Sequence, residues 1–314
     1  MAEDRPSAAD RPVTGGRPGR PARLAWGAVG AILLGVVGLV TYALTHASSP
    51  SAPVQPAVTS PAVLATLSSV PLSTFDTVGA SAPGTTLSPP TVVTPRAPLT
   101  VQGKPEVLFV GSEFCPFCAA ERWPLVVALA RFGTFTELHD GSSAALTVFP
   151  NTSTFTFYGV GYSSTYVTLT GVELFSDTTG ADGTFTRLAR LTPGQAALVA
   201  RYAPGAGGIP AGTAPFVDVA GQLVAVTSGF SPALLAGQSQ AQIAGVVAKP
   251  TTGSGSAGTP VPPTGQAVIA AANQLSAGIC AATAQRPAAV CRSKGVRAAD
   301  TYLGLPVPVG DSRG

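Results

Sequence analysis

Two thiols separated by two residues, in Cys115-Pro116-Phe117-Cys118, directly follow the apolar run Val107-Leu108-Phe109-Val110 and the short link Gly111-Ser112-Glu113-Phe114. Thiol–disulfide exchange needs one thiolate that attacks near neutral pH and a second sulfur close enough to release the mixed disulfide. A Cys-x-x-Cys at a helix start supplies both: free backbone N–H groups and the positive end of the helix dipole favour the first anion, while the second cysteine is shielded one turn in. Cys115 is therefore expected to be the nucleophile and Cys118 the resolving thiol. Pro116-Phe117 offers neither the His of strongly oxidising motifs nor the Gly-Pro of a strong reductant, so the direction of exchange stays open. Zinc sites share the spacing but need a second close pair or histidines; the remaining Cys280 and Cys291 are separated by ten intervening residues, and the two histidines are His46 and His139. No metal is expected. A structural disulfide at the motif is the other alternative, although so short a loop stabilises little through chain entropy. The scarcity of histidine argues against a Ser-His-Asp or Cys-His hydrolase. No Gly-x-Gly-x-x-Gly turn follows a strand, so neither a flavin nor a nicotinamide is expected, and electrons must pass to or from a second protein.

The compartment follows from the N-terminal third. Leu24–Leu44 carries no charge, and at about 1.5 Å per helical residue it spans the roughly 30 Å of a hydrocarbon core. It reads as one transmembrane helix. Arg5, Arg11, Arg17, Arg20 and Arg23 precede it and no Lys or Arg follows until Arg96, so the N-terminus (1–23) is placed in the cytoplasm and the rest outside. A cleaved signal peptide is the rival, but the apolar stretch is long for one and Thr45-His46-Ala47 is a poor cleavage site. The net charge of +3 belongs mostly to this tail, so no nucleic-acid partner is expected. Outside the membrane the cysteines are candidates for disulfides, and loop closure favours Cys115 with Cys118 and Cys280 with Cys291.

The elements that must position the motif can be read from pattern. Residues 45–60 form a Ser/Pro/Ala stalk, and Val63–Val78 is a mixed segment that packs on the domain. Val107–Val110 suits a buried strand, and Cys115 to about Phe132 a helix with Pro124 as a kink. Strands are expected at Ala145–Phe149, Phe155–Tyr158 and Tyr166–Phe175, then a helix over Thr192–Tyr202 with Thr192 as N-cap. Phe216–Val219 and Leu223–Val226 form a hairpin entered through Pro215, followed by a helix over 231–248, a linker 250–265, and a helix from about Thr264 to Thr283 carrying Cys280.

Strand, cysteine motif, Pro-kinked helix, Thr213-Ala214-Pro215, hairpin and closing helix together resemble the thioredoxin superfamily. The resemblance implies an α/β fold, a thioredoxin-like three-layer sandwich over 61–249 with a β-rich insertion at 134–191. An extra C-terminal helix and disulfide loop (266–292) and a tail (293–314) follow. It also implies that Pro215 is a cis-proline facing the cysteines and that Ala214 pairs through its backbone with an extended substrate, by β-augmentation. More closely, Phe109 to Trp123 and Arg131-Phe132-Gly133-Thr134-Phe135 resemble an actinobacterial and archaeal family known only as domain of unknown function 929. Pro150-Asn151-Thr152, Tyr158, Tyr162-Ser163-Ser164 and the segment from Ala271-Ala272-Asn273 to Cys291 fit it too, over roughly residues 60 to 292. Where thioredoxins keep a buried acid under the cysteines, this strand carries Phe109. Glu113 and Glu121 are expected to be solvated, with substitution for that missing proton acceptor as the alternative, and Arg122 to be an exposed helix charge or a support for the thiolate.

The expected activity is protein thiol–disulfide exchange by a single-pass cell-membrane protein acting on extended segments of secreted or envelope proteins, with a separate membrane redox partner and no cofactor. A non-catalytic thioredoxin-like binding module of the cell envelope is the alternative. Cys280 and Cys291 are expected to close a structural loop, with a second redox pair as the alternative.

Overall fold

A computed structural model describes residues 56–93, 98–203, 214–249 and 261–305. Its strands are β1 (Thr91–Val92), β2 (Thr100–Val101), β3 (Lys104–Gly111), β4 (Thr134–Ser142), β5 (Ser153–Ser163), β6 (Thr168–Glu173), β7 (Phe175–Thr179), β8 (Phe185–Arg187), β9 (Phe216–Val219) and β10 (Leu223–Ala225). Its helices are α1 (Pro61–Ser68), α2 (Leu72–Val78), α3 (Pro116–Leu129), α4 (Pro193–Tyr202), α5 (Gln240–Val247), α6 (Pro263–Ala282), α7 (Ala288–Cys291) and α8 (Lys294–Leu303).

The apolar run at Val107–Val110 becomes the centre of the main sheet because both of its faces are covered. Val107 and Phe109 join the core that contains α3 and α6, whereas Leu108 and Val110 pack with Val172, Phe216 and Val224 under Leu198 and Val199 of α4. Alternate side chains of a strand point to opposite faces, so a run without polar interruption needs helices on both sides. β3 pairs in parallel with β6, with Val107 opposite Leu169 and Gly111 opposite Glu173. On its other edge it pairs antiparallel with β9, with Val110 opposite Phe216. β10 and β1 extend the sheet beyond β9, and β2 pairs with the start of β3. A parallel neighbour requires a crossover, and here α3 and the β4–β5 ribbon supply it. The chain thus adopts the expected α/β class.

α6 has no charged residue from Pro263 to Ala282 and is buried on nearly every side. A helix apolar all round belongs inside a protein, and two of its three amides hold the helices around it. Asn273 Nδ2 donates to the Phe75 and Gly79 carbonyls at 2.9 and 2.8 Å, and Gln274 Nε2 to the Ala80 carbonyl at 2.8 Å. Arg131 Nη1 reaches Asn273 Oδ1 and Ser276 Oγ, with its guanidinium 4.0 Å above the Phe75 ring.

Several expectations change. The supposed insertion over 134–191 includes β6, which belongs to the main sheet because it is the parallel partner of β3; β4–β5 and β7–β8 are the separate ribbons. Ala145–Phe149 is not a strand, since no neighbour pairs with it: Leu146 and Val148 are 98% and 76% exposed on a loop closed by Ser143 and Phe149. The helix expected over 231–248 breaks into a short 3-10 turn, Pro232–Leu235, and α5, because Ser239 makes a capping box with Gln242 after Gly237 takes φ +69°. The segment read as a tail from 293 contains α8, whose Val296 and Ala299 are buried and whose first turn is capped by Asp76 Oδ1 on Gly295 N–H, 2.8 Å away in sequence-distant α2. The end of the stalk pairs with β4 through Thr59 N–H and the Ala57 carbonyl. Leu24–Leu44, most of the stalk and most of the linker lie outside the described residues, and among the described residues no helix is long and apolar enough to cross a membrane.

Candidate active site

β3 ends at Gly111, and the turn Ser112–Phe114 delivers Cys115 to the N-cap of α3, with Pro116 at the first helical position where its missing N–H costs nothing. The Cys118 backbone N–H donates to Cys115 Sγ at 3.1 Å, the cap bond that the expected helix start requires. Cys115 N–H in turn donates to the Ser112 carbonyl at 3.2 Å. Neighbouring segments fix the turn: Leu174 N–H donates to the Gly111 carbonyl, Glu113 N–H to the Phe175 carbonyl, and Ala144 N–H to the Phe114 carbonyl, at 2.8, 2.9 and 3.1 Å. Phe114 stacks on Phe185, and Phe117 meets Phe149 edge-on at 6.0 Å.

Cys115 and Cys118 are both thiols, both with 0% exposure. Burial pushes the Cys115 thiol up, but hydrogen bonds from the Cys118 side chain and backbone, the positive charge of Arg122 and the Phe117 N–H outweigh it, so its pKa lies below the ordinary thiol value. Cys118 goes the other way. Burial, the hydrogen bond its S–H gives to Cys115, and the neighbouring anion hold its proton well above the ordinary range. The arrangement separates the two sulfurs into one that ionises and one that keeps its proton, the division of roles that a nucleophile and a resolving thiol need.

The charges around the motif are buried, contrary to the sequence reading. Arg122 is 0% exposed: its Nε and Nη2 bind Glu173 Oε1 and Oε2 at 2.9 and 2.7 Å, and Nη2 also donates to the Ser112 carbonyl at 2.9 Å. Glu173 Oε1 accepts a further bond from Phe157 N–H. Glu113 is buried and accepts from Thr156 Oγ1 at 2.5 Å; burial, reinforced by nearby Glu173, raises its pKa. Glu121 is buried beside Gly229, whose N–H it accepts at 2.8 Å, and burial pushes it up to about 8. None of these is solvated, because α3 is enclosed by the sheet, β5 and α6. Phe109 packs edge-on against Phe157 at 5.1 Å, leaving no acid at that strand position. A buried carboxylate comes instead from Glu173 on β6, which sequence reasoning missed; the signal available was a lone acid in the otherwise uncharged run Tyr166–Phe175. Gly171 on β6 permits the fit, since a Cβ there would lie 2.5 Å from Phe157 Cβ.

Pro215 is buried and Ala214 exposed, one and two residues before Phe216, which pairs with Val110; they stand at the end of the sheet where the cysteine turn begins. Thr213 lies outside the described residues. The cis bond expected at Ala214–Pro215 is not there: among the described residues the cis peptide bond is Arg286–Pro287. β9 pairs with β3 up to Phe216 directly, so the register is set without a cis peptide at that position. A groove of about 260 Å³ runs beside the motif between Phe117, Phe149, Ser228 and Phe230. Cys280 at the end of α6 and Cys291 in α7 are joined by a disulfide, Cα atoms 5.5 Å apart, away from this site in sequence and in element. Among the described residues no group of three His, Cys, Asp or Glu could hold a metal ion.

Residues 91–183 match a family model described as Domain of unknown function (DUF929), which supports the family resemblance drawn from the motifs. The matched stretch runs from β1 through the cysteine turn to the β7–β8 ribbon. No curated protein and no solved structure matches the chain.

Proposed function

We propose that the protein is a thioredoxin-like thiol–disulfide oxidoreductase in which Cys115 attacks or is attacked and Cys118 resolves. The observation that carries this reading is the paired geometry at the start of α3, where Cys118 gives both its backbone N–H and its S–H to Cys115 Sγ. The sheet order supports the thioredoxin-like part: a parallel pair, β3 and β6, around the cysteine helix, then an antiparallel hairpin, β9–β10, and helices on both faces. In the exchange, Cys115 thiolate attacks a partner disulfide, one partner sulfur leaves with the electron pair, and Cys118 then attacks Cys115 Sγ. The Cys115–Cys118 bond forms, the mixed bond breaks, and the proton given up by Cys118 ends on the second partner thiolate. The reverse sequence oxidises a partner dithiol.

The groove lined by Phe117, Phe149 and Phe230 suits an extended, largely apolar segment of a secreted or envelope protein, whose backbone would pair with that of Ala214. Anchoring by Leu24–Leu44 with the domain outside the cell is part of the same proposal, and partition of the full chain into the membrane fraction tests it. A redox partner in the membrane completes the cycle. One observation favours the alternative of a binding module that exchanges nothing: Cys115 has no exposed surface. The test for both uses oxidised glutathione. Cys118→Ser is expected to accumulate a glutathione adduct on Cys115, whereas the wild-type chain releases glutathione and closes the Cys115–Cys118 disulfide. If Cys118→Ser stays unmodified and the wild type remains dithiol, the binding-module reading stands instead.

A further inference from the structure

Arg122 is the least expected residue in the molecule. Leaving a guanidinium fully out of water is costly unless its donors are matched, yet the match here is incomplete. Two donors go to Glu173 and one of these also to the Ser112 carbonyl, while Nη1, equally buried, has no hydrogen-bond partner among the described residues. The Ser112 carbonyl is also the acceptor for Cys115 N–H, so the guanidinium and the Cys115 backbone share one oxygen. Cys118 lies four residues before Arg122, on the same face of α3, and the Arg122 charge acts on both sulfurs. The side chain cannot drift: the Glu173 fork holds it from below and the Phe109 ring lies 5.2 Å from its Cζ.

We propose that Arg122 is the charge partner of the Cys115/Cys118 sulfurs, with Nη1 kept free for the sulfur anion, and that Glu173 is the positioning residue that aims it. This rests on the exchange reading above. Across the reaction the anion moves from Cys115 before attack to Cys118 during resolution, and a cation fixed beneath both compensates either one without moving. It fills the electrostatic gap left by Phe109 with a permanent charge, where a buried acid would shuttle a proton. Glu173 is required because an unrestrained guanidinium would snorkel to solvent, and because its two oxygens occupy the other donors and leave Nη1 facing away from carboxylate.

The pair makes opposite predictions for its two members, which a purely structural role does not. The readout is the rate of Cys115 alkylation by iodoacetamide as a function of pH, in the full chain with Cys280–Cys291 intact, on variants whose near-ultraviolet circular dichroism matches wild type. Arg122→Gln is expected to move the alkylation midpoint up by about one pH unit or more, a roughly tenfold slower reaction at pH 7. Glu173→Gln, which leaves the cation less neutralised, is expected to move it down. Should either single variant fail to fold, Arg122→Gln/Glu173→Gln replaces the ion pair by a neutral hydrogen-bonded one. Its midpoint is also expected to rise, because the guanidinium and not the carboxylate acts on the sulfurs. Folded variants that all keep the wild-type midpoint overturn the assignment of Arg122 while leaving the exchange reading intact. A wild-type midpoint at the ordinary thiol value together with no glutathione exchange overturns the exchange reading itself.

Discussion

The two cysteine pairs of this chain are built on opposite principles. Cys280 and Cys291 join the end of one helix to a neighbouring short one, among apolar side chains. Cys115 and Cys118 sit at a helix start over a fully buried ion pair, and their protons are held unequally. A covalent bond that serves only to close a loop needs nothing but fitting backbone positions. A pair that must open and close needs its charge states managed, and the molecule commits a buried arginine and a buried glutamate to that end.

The largest effect that could break this contrast comes from truncating one partner of the ion pair. Glu173→Ala leaves Arg122 buried and unpaired, and chemical denaturation is expected to show a loss of about 3–5 kcal/mol. Removing the other cysteine pair, by Cys280→Ala with Cys291→Ala, is expected to cost about 3 kcal/mol on the chain-entropy model for a loop of this size. That change should leave the rate of Cys115 exchange with glutathione unchanged, which sharpens the comparison: stability falls and chemistry does not. Asn273→Ala, on the disulfide-bearing helix, strips a donor from the buried Phe75 carbonyl and the half-buried Gly79 carbonyl and an acceptor from Arg131, and a loss of about 1–3 kcal/mol is expected in the same assay.

The remaining effect is a pH dependence. The Glu121 carboxyl, raised to about 8 by burial, binds its proton in the folded chain when the unfolded chain has lost it. Its contribution is fully present below the ordinary carboxylate pKa of 4.5 and fades as pH climbs toward 8, so stability falls with rising pH across that window. Glu121→Gln is expected to flatten the fall in melting temperature between those limits, without altering the alkylation midpoint of Cys115.

Much of the main sheet was legible in the sequence because its strands are short apolar runs beside clear punctuation: Val107–Val110 before the cysteine turn, and Phe216–Val219 before Ala220-Gly221. The caps at Thr192 and Cys115 were legible for the same reason, being local hydrogen bonds within one turn. What could not be read depends on partners distant in sequence. Arg122 and Glu173 are 51 positions apart, and nothing in either local pattern says that a parallel pairing will set one beneath the other. Glu121 and Glu113 look like ordinary solvated charges until the β4–β5 ribbon and α6 close over α3. α8 was hidden because its cap is Asp76, more than two hundred residues earlier. The cis bond expected at Pro215 came from resemblance and not from the local residues, and it did not transfer.

The central claim is that one cysteine pair exchanges and the other holds. It is tested most directly by equilibrating the full chain across a series of glutathione redox buffers and quantifying the oxidation of each pair by mass spectrometry after acid quenching and alkylation. Cys115–Cys118 is predicted to pass from dithiol to disulfide within the series while Cys280–Cys291 stays oxidised throughout. A Cys115–Cys118 pair that remains dithiol in the most oxidising buffer, or two pairs that titrate together, would contradict the account.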